Sequence, residues 1–407
     1  MELTKTKYKQ TEVGLIPEDW NYTSIESYID LLTGFPFPST KYSSDGIRLL
    51  RGTNIKRGET DWNKNILTYW NENISSYSQF QMQEGDLVIA MDGSLVGRSY
   101  AQLKKKDIPA LLLQRVGRIR SEKLSVDLLK HFIGSNWFIK YADSVKTVTA
   151  IPHISPKDIR EFKIPLPPTI TEQKAIATAL SDVDDLISNM DKLISKKKAI
   201  KQGAMQQLLT PPHKGGKRLA RFTGEWQFLT IEAVADCLDN LRVPLNGEQR
   251  GKMNGDIPYC GANGVVDYVN DFVIDDDIIL MAEDGGYFDE YKTRPIAYRM
   301  KGKCWVNNHA HILKAKNEID QGFLYFSLVH KNILDYINGG TRAKLNKGEM
   351  NKIECWFPKS KIEQETISGI LSDIDTNIEQ LETKKAKYKD IKQGMMQELL
   401  TGKTRLV

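Results

Sequence analysis

The chain has 407 residues, 27% charged and 40% apolar, the composition of an ordinary soluble protein and enough for two or three domains with cores of their own. No apolar run approaches the ~18 residues of a membrane span, Met1–Lys5 begins no signal-peptide core, and Cys237, Cys260, Cys304 and Cys355 form no Cys-x-x-Cys pair, so a reduced cytoplasmic compartment is expected rather than a disulfide or zinc framework. A net charge of +5 permits nucleic-acid binding but does not locate it.

Residues 1–14 are polar and read as an arm. Ile16-Pro17-Glu18-Asp19-Trp20 opens a short helical pattern through Ile25 and Ile29. Ile47–Ile55 reads as a strand ending in a glycine turn, Gly85–Gly93 as a strand stopped by Asp-Gly, and Leu112–Val116 as a further strand. A short helix around Leu128–Ile139 closes the module. The loop Thr147–Ile154 and a proline-marked strand then lead to a long helical stretch. After it the plan returns. Trp226 and Ile231-Glu232 answer Trp20 and Ile25-Glu26, Asp277–Gly286 answers the Asp-Gly strand, and Trp305–Ile312 is the next strand. A helix around Phe323–Ile337 and the loop Gly339–Asn346 lead to a second long helix. The apolar framework repeats while the loop residues differ, as expected of two copies of one binding module reading different things.

The two long stretches are the clearest repeat. Glu172-Gln173 returns as Glu363-Gln364, Leu180-Ser181-Asp182 as Leu371-Ser372-Asp373, and Ile200–Gly203 as Ile391–Gly394, always 191 positions apart. A constant offset suits a rigid rod and not a loop, which tolerates insertion. Thr169 with Glu172, and Ser360 with Glu363, fit capping boxes. Apolar residues then recur every three or four positions. The first seam is Ile176, Leu180, Val183, Ile187 and Met190, continuing to Ile194. The second is Ile367, Leu371, Ile374, Ile378 and Leu381, continuing to Tyr388 and Met395. About 39 residues at ~1.5 Å each span roughly 58 Å, longer than most core helices, so the two are expected to pair with each other as a spacer.

Catalytic signatures are weak. Gly402-Lys403-Thr404 resembles the end of a phosphate-binding loop, but Gln397 stands where the earlier glycine belongs. No Asn-Pro-Pro-Tyr-like run suggests a methyl-donor pocket. His309 and His311 share a strand face without an evident third ligand, so no metal site is expected. The acidic run Asp275–Asp277 with Glu283 and Asp284 lacks the Glu-x-Lys of a metal nuclease. Polar and basic residues gather instead at loop tips. The first module offers Arg51, Thr53, Asn54, Lys56 and Arg57, then Ser94, Arg98, Arg115, Thr149 and His153. The second offers Asn263, Asn308 and His309, then Thr341, Arg342, Lys344 and Asn346. Arg, Asn and His can read base edges, and Lys and Thr suit phosphates; ordinary hydrophilic loops have the same composition.

Several phrases together carry a family resemblance: Leu50-Arg51-Gly52-Thr53-Asn54-Ile55, Ile164-Pro165-Leu166-Pro167-Pro168 with Glu172-Gln173, Ile362-Glu363-Gln364, and the repeated Leu-Ser-Asp and Gln-Gly-x-Met-Gln-x-Leu-Leu-Thr blocks. With two variable modules, each followed by a near-identical long helix, the chain resembles the specificity subunit of type I restriction-modification enzymes. The resemblance implies an α+β fold with a pseudo-two-fold repeat. Target-recognition domains would occupy 1–168 and 214–358, and long antiparallel coiled-coil spacer helices 169–213 and 359–407. It implies a non-catalytic subunit that binds a bipartite, asymmetric target in double-stranded DNA. Its partners would be two methyltransferase subunits acting on adenine and motor-nuclease restriction subunits, with no membrane involved. S-adenosylmethionine, ATP and magnesium would belong to those partners, with no cofactor or metal on this chain. The other readings are a self-contained modifying or restriction enzyme and a coiled-coil scaffold that binds no nucleic acid.

Overall fold

The computed structural model describes residues 7–339 and 343–406. It forms two compact units, Met1–Asn189 with Lys384–Val407, and Met190–Thr383. Two long helices, Ile170–Leu208 and Lys361–Leu399, follow the two modules. Each is divided between the units.

In the first unit a four-stranded antiparallel sheet runs Asp30–Thr33, Val116–Arg120, Leu87–Ala90, Tyr100–Gln102. Leu87 and Ile89 face a core shared with helices Val126–Ile133 and Asn136–Val145, while Val88 and Ala90 face a second core under the loops. Apolar residues on both faces of one strand require cover on both sides. A smaller sheet joins Tyr69–Trp70, Ile47–Leu50 and Ala110–Leu112. Lys163–Leu166 pairs with Asn21–Ser24, bringing the end of the module back to its beginning.

The second unit repeats the plan with a six-stranded sheet: Ala235–Cys237, Ala310–Ala315, Ile274–Ala282, Ala297–Val306, Ile257–Gly261, Gly264–Val269. Ile279 and Met281 face the core containing helix Gln321–Leu328, and Ile278 and Leu280 the other. Glu354–Pro358 pairs with Trp226–Thr230.

Several expectations change. Of the N-terminal arm, Tyr8–Thr11 and Gly14–Pro17 form a hairpin. The pattern from Ile16 to Ile29 is strand followed by one 3-10 turn, Glu26–Tyr28, although Ile16, Trp20 and Ile25 are all buried; sheet pairing overrides the local spacing. Leu112–Val116 and Trp305–Ile312 each contain a tight turn between two strands. The helix around Leu128–Ile139 breaks at Gly134, where a Cβ would lie 2.2 Å from the Tyr100 hydroxyl, and restarts with Ser135 capping Trp137 and Phe138. The helix around Phe323–Ile337 stops at Leu328, followed by a 3-10 turn, Leu334–Tyr336.

Within each unit the leading half of one long helix packs on the trailing half of the other. In the first, Ile176, Ala177 and Leu180 share a core with Leu399 and Leu400, and Lys392 meets Asp184 at 2.5 Å. In the second, Ile367 and Leu371 share a core with Leu208, while Lys201 meets Asp375 at 2.6 Å and Lys198 meets Glu382 at 2.7 Å. Residue numbers rise along one helix as they fall along the other, so the pairing is antiparallel. The seam thus has two duties. Ile176, Leu180, Ile367 and Leu371 belong to module cores; farther along, Met190, Ile194 and Ile378 are buried, and Val183, Ile187, Ile374 and Leu381 half-buried. In the capping boxes, Thr169 and Ser360 accept from the N–H of Glu172 and Glu363. The carboxylates go elsewhere: Arg405 holds Glu172, and Arg218 holds Glu363. Gly402 is no phosphate loop; it turns the chain at φ +70° against Pro17 and Trp20, where a side chain would clash.

Candidate nucleic-acid interface

One backbone frame recurs in both units and gathers the loop tips. In the first, the Met91 N–H donates to the Arg115 carbonyl and the Met91 carbonyl accepts from Ile154, both at 2.9 Å; Asp92 bridges to His153. In the second, the Glu283 N–H donates to the His309 carbonyl at 2.9 Å and its carbonyl accepts from Leu345 at 2.7 Å; Asp284 bridges to Lys344. Each frame stands where the central strand ends in Asp-Gly. The flanking chain on one side is a tight turn, and on the other a loop entering a short helix, Pro156–Glu161 or Lys347–Lys352. Arg115 thus corresponds to His309, and His153 to Lys344.

In the first unit a cleft of about 410 Å³ opens at this frame, lined in part by Arg51, Thr53, Lys56, Ser94 and Arg115. Thr53, Lys56, Arg57, Ser94 and Arg115 are exposed. Arg115 adopts the left-handed conformation, φ 68°, which costs a non-glycine residue roughly 1–2 kcal/mol and aims its side chain outward. Lys56 is braced by the Thr53 carbonyl at 3.0 Å. Arg51 is half-buried and donates to the Thr68 hydroxyl at 2.9 Å.

Asn54 leaves the set of base readers. Its side chain is 0% exposed, accepts from the Arg51 N–H and donates to the Asp61 carbonyl. Arg98 is turned to helix Asn136–Val145, where it grips Asp143 at 2.7 Å. That hydrogen bond, with a second from Lys146, holds the Asp143 carboxyl well below its usual range. Thr149 and His153 lie in a loop closed on itself: the Thr147 hydroxyl meets His153 Nδ1 at 2.9 Å, and Thr149 donates to the Ile151 carbonyl at 2.7 Å.

In the second unit Asn263 is exposed and donates to the Gly285 carbonyl at 2.9 Å. Asn308 is exposed at the tip of the turn. His309 meets Asp284 at 2.6 Å, Lys344 meets Glu283 at 3.0 Å, and Asn346 opens the last short helix. Thr341 and Arg342 lie outside the described residues. His309 and His311 do not share a strand face: the first is in the turn, the second in the sheet. His311 is buried, with Nδ1 on Asp239 at 2.7 Å and Nε2 on the Leu345 carbonyl at 2.8 Å. Burial alone would lower its pKa, but bonds to Asp239, Cys237 and the Leu345 carbonyl raise it to about 9.

Cys237, Asp239 and His311 are the one group among the described residues close enough to share a metal. Arg242 lies 3.3 Å from Asp239 and also pairs with Glu283. Both imidazole nitrogens are occupied, so the cluster is a charge-paired brace. Sequence reasoning missed His311 as the support of the Leu345 loop and Arg242 as the partner of Asp239 and Glu283; their only signal was the repeated Asp-Gly stop that marks the frame. A larger cleft of about 630 Å³, by Asp30, Glu84, Asp86, Arg120 and Glu122, lies at the opposite end of the first unit's four-stranded sheet. Its carboxylates suit phosphate poorly.

The family model described as the type I restriction modification DNA specificity domain matches residues 17–198 and again 223–389. The specificity subunit of the type I restriction enzyme MjaVIII from Methanocaldococcus jannaschii is 31% identical over 207 residues, 50% of this chain and 48% of that protein. The EcoAI specificity subunit from Escherichia coli is 34% identical over 182 residues, 44% of this chain and 30% of that protein. These matches thus span half or less of those relatives. The putative MjaX specificity subunit from Methanocaldococcus jannaschii is 25% identical across 98% of this chain and 97% of its own length. The solved S subunit of a type I restriction-modification system from M. genitalium shares the fold, with a TM-score of 0.69 at 18% identity over 98% of each chain. No helix among the described residues is long and apolar enough to cross a membrane.

Proposed function

The chain belongs to the type I restriction modification DNA specificity family, and on that footing we propose that it reads a bipartite, asymmetric DNA target, one half with each unit. It is a non-catalytic recognition subunit. One observation carries the division of labour: a shared backbone frame presents different side chains, Arg115 and His153 in one unit and His309 and Lys344 in the other. A common frame fixes how each module meets the duplex, and different side chains meet different base edges. Two unlike halves make the target asymmetric, with unread base pairs between them set by the long helices.

The partners are two methyltransferase subunits that modify adenine at the bound site, and motor-nuclease subunits that cleave unmodified DNA. S-adenosylmethionine, ATP and magnesium belong to those partners. The work takes place in the cytoplasm. The test is methylation mapping in cells expressing the chain with its methyltransferase partner. A two-part motif is expected, and replacing residues 15–168 with a relative's module should change one half only. A continuous motif, or a swap that alters both halves, overturns the reading.

A further inference from the structure

The loop Thr147–His153 is a braced finger. Its base is closed by the Thr147 N–H donating to the His153 carbonyl at 3.0 Å and the His153 N–H donating to the Thr147 hydroxyl at 3.1 Å. It is fixed to the frame by the Gly93 N–H donating to the Pro152 carbonyl at 3.0 Å, and by the Ile154–Met91 bond. The tip nevertheless presents apolar side chains to water: Val148 is 102% and Ile151 65% exposed. The neighbouring loop adds Leu95, 59% exposed, on the wall of the cleft that also holds Lys56 and Arg115. Scattered exposed apolar residues are ordinary. Here two β-branched side chains are held outward on a hydrogen-bonded loop, beside the cationic residues that suit a polyanion.

We propose that this finger determines specificity in the first half-site: Val148 and Ile151 contact the C5-methyl groups of thymines in the major groove. This rests on the DNA-reading function above. Thymine is the base whose major-groove edge carries an apolar group, and apolar side chains are its complement. β-Branched side chains are stiff at χ1 and lose little freedom on contact. The second module has Gly339-Gly340-Thr341-Arg342-Ala343 at the corresponding place, with no valine or isoleucine. Thymine-methyl reading by this device is therefore confined to one half of the target.

Uracil provides the test, because it removes the methyl and leaves every hydrogen-bonding group. The full chain, assembled with its methyltransferase subunits, is titrated with duplexes carrying the mapped target. Thymines of the first half-site are replaced by uracil one at a time. At one or two positions affinity should fall about fourfold per methyl lost from a dry contact. A Val148→Ser, Ile151→Ser double variant should bind the natural site more weakly, melt at the same temperature, and be indifferent to uracil at those positions. Uracil in the second half-site should affect both proteins equally. A first half-site without thymine, uracil replacements without effect, or equal losses for wild type and variant would overturn the finger while leaving DNA reading intact. Equal affinity of the wild-type assembly for target and scrambled duplexes would instead overturn the DNA-reading function itself.

Discussion

Arg115 keeps a conformation that L-residues avoid, and its backbone is already committed, since its carbonyl receives the Met91 N–H. Arg115→Gly should therefore preserve the turn and relieve strain, offset in part by the greater freedom of glycine in the unfolded chain. Thermal stability is expected to hold or rise, within ~1 kcal/mol, while discrimination at one base pair falls by ~1–3 kcal/mol. Arg115→Ala should lose the same discrimination without the relief. Unfolding curves and binding to single-base variants of the target check both; a glycine variant that unfolds early would show the side chain serves the fold. His311 makes a pH prediction. Its folded pKa of about 9 lies above the ordinary 6.5, so its stabilisation is full below about 6.5 and is lost as pH rises through about 9. The charged imidazole anchors the Leu345 loop, which carries Lys344. The second unit should thus lose on the order of 3 kcal/mol across that window, and His311→Gln should flatten the dependence. Melting measured from pH 6 to pH 10 decides it.

At the scale of elements, the repeated Glu-Gln pair is a two-sided clamp at the start of each long helix. Gln173 donates to the Pro167 carbonyl and accepts the N–H of Ser125, the cap of helix Val126–Ile133; Gln364 does the same with Pro358 and with Asp320, the cap of helix Gln321–Leu328. Glu172 and Glu363 are buried and held by Arg405 and Arg218, which arrive just past the ends of the opposite helices. Removing either arginine leaves a buried carboxylate with its main partner gone, which costs ~3–5 kcal/mol. Arg405→Ala should open the first unit and Arg218→Ala the second. Amide exchange read unit by unit checks this, and adding Glu172→Gln should recover part of the Arg405→Ala loss. Loss of protection in both units from one substitution would argue against separate clamps.

For the molecule as a whole, the first unit is built from both ends of the chain. Leu399 and Leu400 enter its core, Gly402 packs on Trp20, and the Tyr8 hydroxyl donates to the Lys403 carbonyl. Leu208, Leu209 and Arg218, at and beyond the end of the first long helix, hold the equivalent duties. A fragment ending at Gly224 would lack the residues that complete its module, yet carry their equivalents. Leaving Ile176 and Leu180 in water is unfavourable, so a second copy should supply what is missing. The expected product is a homodimer that, with the methyltransferase, marks a symmetric version of the first half-site. Sedimentation and methylation mapping test it; a stable monomer, or a dimer marking the asymmetric parental site, would refute it.

The sequence by itself determined the long helices, their partnership and the doubling of the module. Those features rest on local periodicity and a constant offset, which need no knowledge of distant contacts. It also located the polar loop tips, because turn residues and charge are local properties. Only the tertiary structure decided which of those tips meet. The frame at Met91 and Glu283 joins chain segments far apart in sequence, and it makes Arg115 the counterpart of His309. Burial removed Asn54 from the candidates, and an ion pair drew Arg98 to Asp143, though both look like base readers in one dimension. The division of each long helix between two units was likewise invisible, since a seam residue reads alike whether it meets a helix or a module core. Hydrogen bonds and burial that link remote segments are properties of the folded chain, and they decide which polar residue is a reader and which is a brace.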